Sequence, residues 1–251
     1  MRNIFVKFYV LVSLISCACV TPGYASDLYV GLAGGAQKLT SDTSIDYSFP
    51  GIDTTIASGD FNSSNDSGAG DFYFGVVSQP IPNKMSLALE FNLTGFLAET
   101  EEHYSSSDSD LTMNTQWKYN LGVSLIPGVV LGDKTTVYTR MGIGYGEYAN
   151  KVSGSLEENP SYIDIPGYTK NFSDHDFSYR LGVGIEQKIH PQWSLRLEYD
   201  YWHYNAVDPD DSTYGGGNNT VVSYTFHPES NTVMLGLSYH YYQSGGADLV
   251  L

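Results

Sequence analysis

Beyond residue 25 the chain holds no apolar run near the roughly 20 residues a membrane-spanning helix requires, yet it alternates apolar and polar side chains again and again. A period of two belongs to extended backbone, where successive side chains point to opposite faces. Eight runs carry it: 28–39, 71–79, 85–97, 115–125, 135–148, 176–189, 193–204 and 231–242. Each approaches or exceeds the about 9–11 residues that cross a bilayer as a tilted strand. In the third run Met85, Leu87, Leu89, Phe91 and Leu93 share one face, and Ser86, Ala88, Glu90, Asn92 and Thr94 take the other. In the sixth, Phe177, Tyr179, Leu181, Val183 and Ile185 oppose Ser178, Arg180, Gly182, Gly184 and Glu186. No segment sustains the helical period.

A soluble sandwich also alternates, so the connections decide between the two. Long ones (40–70, 98–114, 149–175, 205–230) alternate strictly with short ones near 80–84, 126–134 and 190–192. Long loops on one rim and tight turns on the other predict an all-β fold, an eight-stranded antiparallel transmembrane up-and-down β-barrel. An even strand count closes the sheet and leaves no edge unpaired in hydrocarbon. Composition agrees: only 41% of residues are hydrophobic, yet there are 21 Tyr and 26 Gly. Trp117, Tyr119, Tyr199 and Tyr201 lie beside long loops, whereas Trp193, Tyr239 and Tyr241 lie near the short-turn end. They form two expected interfacial girdles. Gly122, Ser124, Gly142, Gly144, Gly182, Gly184, Gly236 and Ser238 share the inward parity, where small residues make room for long side chains.

The N-terminus has the form of a secretory signal peptide over residues 1–25: Arg2 and Lys7, an apolar stretch 8–20, and the small-residue site Gly23-Tyr24-Ala25. Cleavage is expected between Ala25 and Ser26. Leu14-Ile15-Ser16-Cys17 offers a competing lipoprotein reading, in which Cys17 carries a lipid. On the first reading Cys17 and Cys19 both leave with the signal, and the remaining chain has no thiol. Residues 26–251 then form one barrel, with a short tail at 243–251.

The inward parity gathers Lys118, Arg140, Arg180 and Arg196 with Glu90, Glu186, Glu198 and Asp200. One register of the sixth and seventh runs sets Glu186 opposite Arg196, the next sets Arg180 opposite Asp200, and either yields an ion pair. An eight-stranded barrel is filled by its own side chains, whereas a wide aqueous channel needs about 16 strands. These eight residues are therefore expected to neutralise one another as a structural ion-pair network, because a lone buried charge is costly. A small-conductance, porin-like channel is the alternative function.

The 26–251 segment resembles the OmpA/OmpX/Opa-type family of small outer-membrane barrels. Gly236-Leu237-Ser238-Tyr239-His240-Tyr241 is similar to the signal that the barrel-assembly machinery reads on a last strand. The resemblance implies a bacterial outer-membrane location, long loops outside and termini in the periplasm, and a monomer in contact with outer-membrane lipids and lipopolysaccharide. Some barrels of this shape modify lipid A, and the deacylase type resembles a His-x-Ser pair. The nearest candidate, His227-Pro228-Glu229-Ser230, has a spacing of three, which places the two groups on opposite faces of a strand. Lipid A modification stays a second alternative; the expectation is no enzyme, no cofactor and no metal.

The four long loops carry the unbalanced charge. The segments 40–70, 99–112, 147–176 and 205–230 hold 20 acids against Lys151 and Lys170. Nucleic acid is excluded as a partner, since phosphate binding needs basic patches. Asp208, Asp210 and Asp211 lack the glycine and distal glutamate of a calcium-binding loop. The expected role is structural and surface-interacting, adhesin- or opacity-like, with acidic extracellular loops meeting a host surface ligand.

Overall fold

The structure, a computed structural model, describes residues 26–48, 55–78, 84–97, 99–106, 109–158, 163–205, 212–214 and 220–241. The signal segment with Ala25, the Asp208 to Asp211 cluster and the 243–251 tail lie outside them. The strands are β1 Ser26–Ser48, β2 Thr55–Ser78, β3 Met85–Phe96, β4 Glu99–Ser106, β5 Ser109–Leu131, β6 Thr135–Glu158, β7 Ile163–His190, β8 Trp193–Tyr204, β9 Ser212–Tyr214 and β10 Thr220–Tyr241. Eight of them close a barrel in the order β1-β2-β3-β5-β6-β7-β8-β10, with β10 pairing back onto β1 from Leu28↔Tyr241 to Ser48↔Val221. Every pairing is antiparallel. The short β4 adds to β5, and β9 adds to β10.

The barrel wall is inside out relative to a soluble protein. Ile143, Leu32 and Leu235 are 65%, 65% and 61% exposed on the outer face, whereas Glu90, Asn120 and Asp200 are 0% exposed in the lumen. Around the barrel, Phe74, Leu93, Leu121, Met141, Leu181, Leu197 and Leu237 continue the same exposed band. In water such a band would be costly; against lipid tails it is the stable surface, and polar groups must turn inward to satisfy one another.

Six strands are longer than the alternation predicted. Alternation alone assigns 40–70 to a loop, yet β1 runs to Ser48 and β2 starts at Thr55. Likewise β5, β6 and β7 extend through most of 109–114, 149–158 and 163–175, and β10 starts at Thr220 instead of 231. Alternating hydrophobicity is imposed only where one face meets lipid. Past that band both faces meet water, so the pattern vanishes while the backbone ladder continues.

The short-turn rim is also tighter than expected at 126–134. Ile126 remains in β5 and is buried toward the lumen, and the reversal occupies only 132–134, with Gly132 at φ +66°. The β5–β6 ladder passes from Leu125↔Met141 to Gly128↔Tyr138 without pairing Ile126 or Pro127. Proline offers no N–H there, so the gap follows from its chemistry.

Three lumen tyrosines each lie across a glycine on the adjacent strand. Tyr29 pairs with Gly75, Tyr73 with Gly31, and Tyr138 with Gly184. A Cβ on any of these glycines would collide with the facing ring. Aromatic cover of a strand glycine both fills space and pins register, and it aims the three hydroxyls at the centre of the lumen.

Candidate functional site

The middle of the lumen is a closed ion-pair network built from five strands. Glu90 on β3 forms an ion pair with Arg140 Nη1 at 2.6 Å and accepts hydrogen bonds from Arg196 Nη1 at 2.7 Å and the Tyr29 hydroxyl at 2.8 Å. Glu198 on β8 accepts from Arg140 Nη2 at 3.0 Å, Arg180 Nη2 at 2.8 Å and the Tyr138 hydroxyl at 2.6 Å. Arg180 also donates to Asp200 at 2.5 Å and to Asp71 at 3.4 Å. Arg196 reaches Glu186 at 3.2 Å and sits over the ring of Tyr73, 4.5 Å from its centroid. Each guanidinium thus bridges at least two carboxyls, which its planar fork of donors suits.

The expected ion pairs of β7 and β8 both form in a single register. Glu186 lies directly opposite Arg196, and Gly182 lies opposite Asp200. Arg180, opposite Trp202, reaches Asp200 on the diagonal, a span that long side chains cover. A single register therefore satisfies both ion pairs.

Seven of the eight network residues predicted from sequence meet in the lumen; Lys118 does not. The β5–β6 register shifts between Trp117 and Tyr119, so Lys118 is the extra residue of a bulge. Its side chain points outward beyond the apolar band and donates to Glu147 Oε1 at 2.7 Å. That hydrogen bond holds the Glu147 carboxyl below the usual glutamate range. The same bulge turns Trp117 inward, where it is 2% exposed, so this ring belongs to the lumen and not to the expected girdle. Bulges commonly re-aim side chains in this way.

Two participants escaped the sequence reading. Asp71, at the boundary between an expected loop and strand, is 4% exposed and takes hydrogen bonds from Thr94 and Arg180. His240 Nε2 lies 3.1 Å from Glu186 Oε1 and 2.9 Å from Ser194 Oγ. A Ser–His–Glu group invites comparison with a hydrolytic triad. Here one imidazole nitrogen faces both partners and Ser194 is 0% exposed, so the acid does not orient the other ring nitrogen and the hydroxyl is sealed from solvent. On β10, His227 is exposed while Ser230 is buried, on opposite faces of the strand.

Above the charges, toward the rim bearing the long hairpins, rings fill the lumen. Trp117 packs edge-on against Phe96 at 5.6 Å and Tyr204 at 3.9 Å between centroids, and Trp202 completes the layer with the Arg180 guanidinium 4.6 Å from its ring. Below them, toward the short-turn rim, a cavity of about 90 Å³ is lined by Tyr29, Ile126, Tyr138, Glu186, Arg196 and His240, among others. The space among the charges themselves, between Asp71, Arg140, Arg196 and Glu198, is about 10 Å³, room for about one water. Outside, Trp193 packs on Tyr239 at 5.0 Å and Tyr239 on Tyr241 at 4.9 Å near the short-turn rim. Tyr145 with Phe177 at 5.3 Å, and Tyr179 with His203 at 4.7 Å, mark the opposite boundary.

Among solved structures, the attachment invasion locus protein Ail of Yersinia pestis is 14% identical, covering 82% of this chain and 99% of its own, with a TM-score of 0.35. OprG of Pseudomonas aeruginosa is 13% identical over 87% of this chain and 97% of its own, with a TM-score of 0.47. The outer membrane protease OmpT of Escherichia coli is 10% identical over 88% and 99%, with a TM-score of 0.38. Among curated proteins, no sequence matches significantly. A family model described as "Outer membrane protein beta-barrel domain" matches residues 10–241. With a closed eight-stranded wall, an apolar outer band and a polar interior, the chain belongs to this outer-membrane β-barrel family and resides in the outer membrane.

Proposed function

We propose that this protein is a rigid outer-membrane scaffold that displays acidic hairpins for surface interaction, and that it is neither a pore nor an enzyme. One observation carries the reading: β1, β2, β5, β6 and β7 run far beyond the apolar band, whereas the lumen beneath them is filled by ion pairs and rings. Investment in ordered, protruding strands above a blocked interior favours recognition over transport, because binding residues sit best on segments held by a stiff frame. In this reading the hairpins face outward, both ends of the barrel wall face the periplasm, and the protein is a monomer surrounded by lipopolysaccharide and other outer-membrane lipids. The barrel-assembly machinery inserts it. A host surface molecule is the kind of partner the hairpins serve.

The deciding experiment compares bacteria displaying the intact protein with bacteria displaying a version whose hairpins are cut to short turns. Adhesion to host cells is expected to fall with the hairpins removed, and equal adhesion would overturn the reading. Protease added to the intact cells is expected to cut within 40–70 or 205–230 and to spare 190–192.

A further inference from the structure

The strand extensions do not continue the closed barrel. Above the rim β1 pairs with β2 as far as Ser48↔Thr55, yet β2 pairs with β3 only up to Ala69↔Phe96. On the far side of that break β4 pairs with β5, from Glu99↔Gln116 to Ser106↔Ser109. The gap is bridged at its base by Leu97 N donating to Gly68 O at 3.0 Å and by Asn65 Nδ2 donating to Glu99 O. The wall therefore parts into two ribbons, β9-β10-β1-β2 and β4-β5-β6-β7. Among the described residues, 55–67 of β2 pair with one neighbour, β1, and the other side of the ladder is an open edge.

A second such edge exists on β7, which pairs with β6 alone beyond Ser178. That edge carries Pro166 and Lys170, two features that deter strand addition. Residues 55–67 contain no proline, lysine or arginine. Asp66 lies on this edge with Lys38 of β1 paired behind it, and Glu99 lies on β4 across the gap; neither facing segment holds a lysine or arginine. The slot thus combines unpaired backbone groups with facing segments that carry acids and no lysine or arginine.

We propose that the free edge of β2 over residues 55–67 is a docking site for an extended cationic peptide segment, which adds to the sheet as a further strand. The inference rests on the surface-interaction reading above and names its partner class. Strand addition supplies main-chain hydrogen bonds whatever the sequence, while charge complementarity selects the partner. A second copy of this chain fits less well, since two acidic edges repel.

The test uses the folded protein in lipid nanodiscs and three labelled peptides: one alternating Lys and Val, one alternating Glu and Val, and the Lys/Val peptide N-methylated at every second residue. N-methylation leaves the charge and removes the N–H groups along one edge. The Lys/Val peptide is expected to bind with an affinity that falls as salt rises, and to slow amide exchange in residues 55–67. The N-methylated form should bind at least about tenfold more weakly, having lost several hydrogen bonds. Asp66→Asn should weaken binding and flatten its salt dependence, with folding checked by gel mobility before and after heating. Equal binding of the methylated peptide, or slowed exchange only outside 55–67, would refute strand addition. Protection of 55–67 that needs no peptide and grows with protein concentration would also refute it, in favour of self-association. Failure here with adhesion still dependent on the hairpins sinks this inference alone; unchanged adhesion on hairpin removal sinks the reading beneath it.

Discussion

At the scale of residues, the lumen shows how buried charges become tolerable when none is left single. Glu198 takes contacts from Arg140, Arg180 and Tyr138, so removing it strips two guanidiniums of a shared partner. Glu198→Ala is expected to destabilise the barrel by about 3–5 kcal/mol, the range for breaking a buried pair on one side. Urea unfolding of the protein in vesicles measures this, and a change under about 1 kcal/mol would show the network to be dispensable. Lys118→Ala in the same assay should leave the unfolding midpoint nearly unchanged, because its pair with Glu147 is open to solvent and screened. The tyrosine–glycine pairs belong to the same logic. Tyr29 and Tyr138 lie over Gly75 and Gly184 and so place their hydroxyls on Glu90 and Glu198.

At the scale of elements, a single inserted residue in β5 reassigns the Trp117 and Lys118 side chains. Without the bulge, the parity that turns Asn120 inward would also turn Lys118 inward and Trp117 outward. The bulge reverses both, and Trp117 then joins Phe96, Trp202 and Tyr204 in the ring layer. Deleting Lys118 removes the extra residue and keeps Trp117 and Asn120 inward with Tyr119 outward. Deleting Leu121 instead sends every residue on one side of the cut to the wrong face. The Lys118 deletion is expected to yield a folded, heat-modifiable barrel on a denaturing gel and the Leu121 deletion to yield none. Folding of both would contradict the bulge assignment. The same periodicity explains why strand ends were misplaced from sequence: β7 begins at Ile163, but its lipid-facing alternation begins only near Phe177.

At the scale of the whole molecule, an outer band of Leu, Ile, Val and Phe surrounds a central network of three arginines and five carboxyls, Asp71, Glu90, Glu186, Glu198 and Asp200. The cavity below this cluster opens toward the short-turn rim and ends at Arg196 and Tyr138. The space at the centre of the described lumen is about 10 Å³, and a ring layer lies above it. Planar-bilayer recording on the refolded protein should accordingly show no stable large openings. Sustained conductance in the unaltered protein would move it to the channel class. Replacing Arg140 and Glu90 together with smaller polar residues is the variant expected to open a leak, since their 2.6 Å contact lies at the centre of the network.

Strand class, strand number and the choice of inward and outward faces were legible in the residues alone. The reason is local: extended backbone sends alternate side chains to opposite faces, and lipid on one side writes that alternation into the sequence. Glu90, Arg140, Arg180, Glu186, Arg196, Glu198 and Asp200 could be placed in the lumen by parity for that reason. Their partners required closure of the sheet, because Arg196 meets Glu90 across 106 residues and Arg180 meets Asp71 across 109. Closure also recruited Asp71 and His240, whose flanking sequence marks no site. The outward turn of Lys118 needed the bulge, which inserts a residue without any turn signal in the sequence. The split of the extended wall into two ribbons was likewise a tertiary outcome: above the lipid no apolar face compels the strands to stay in one ring, so backbone pairing alone determines which neighbours they keep.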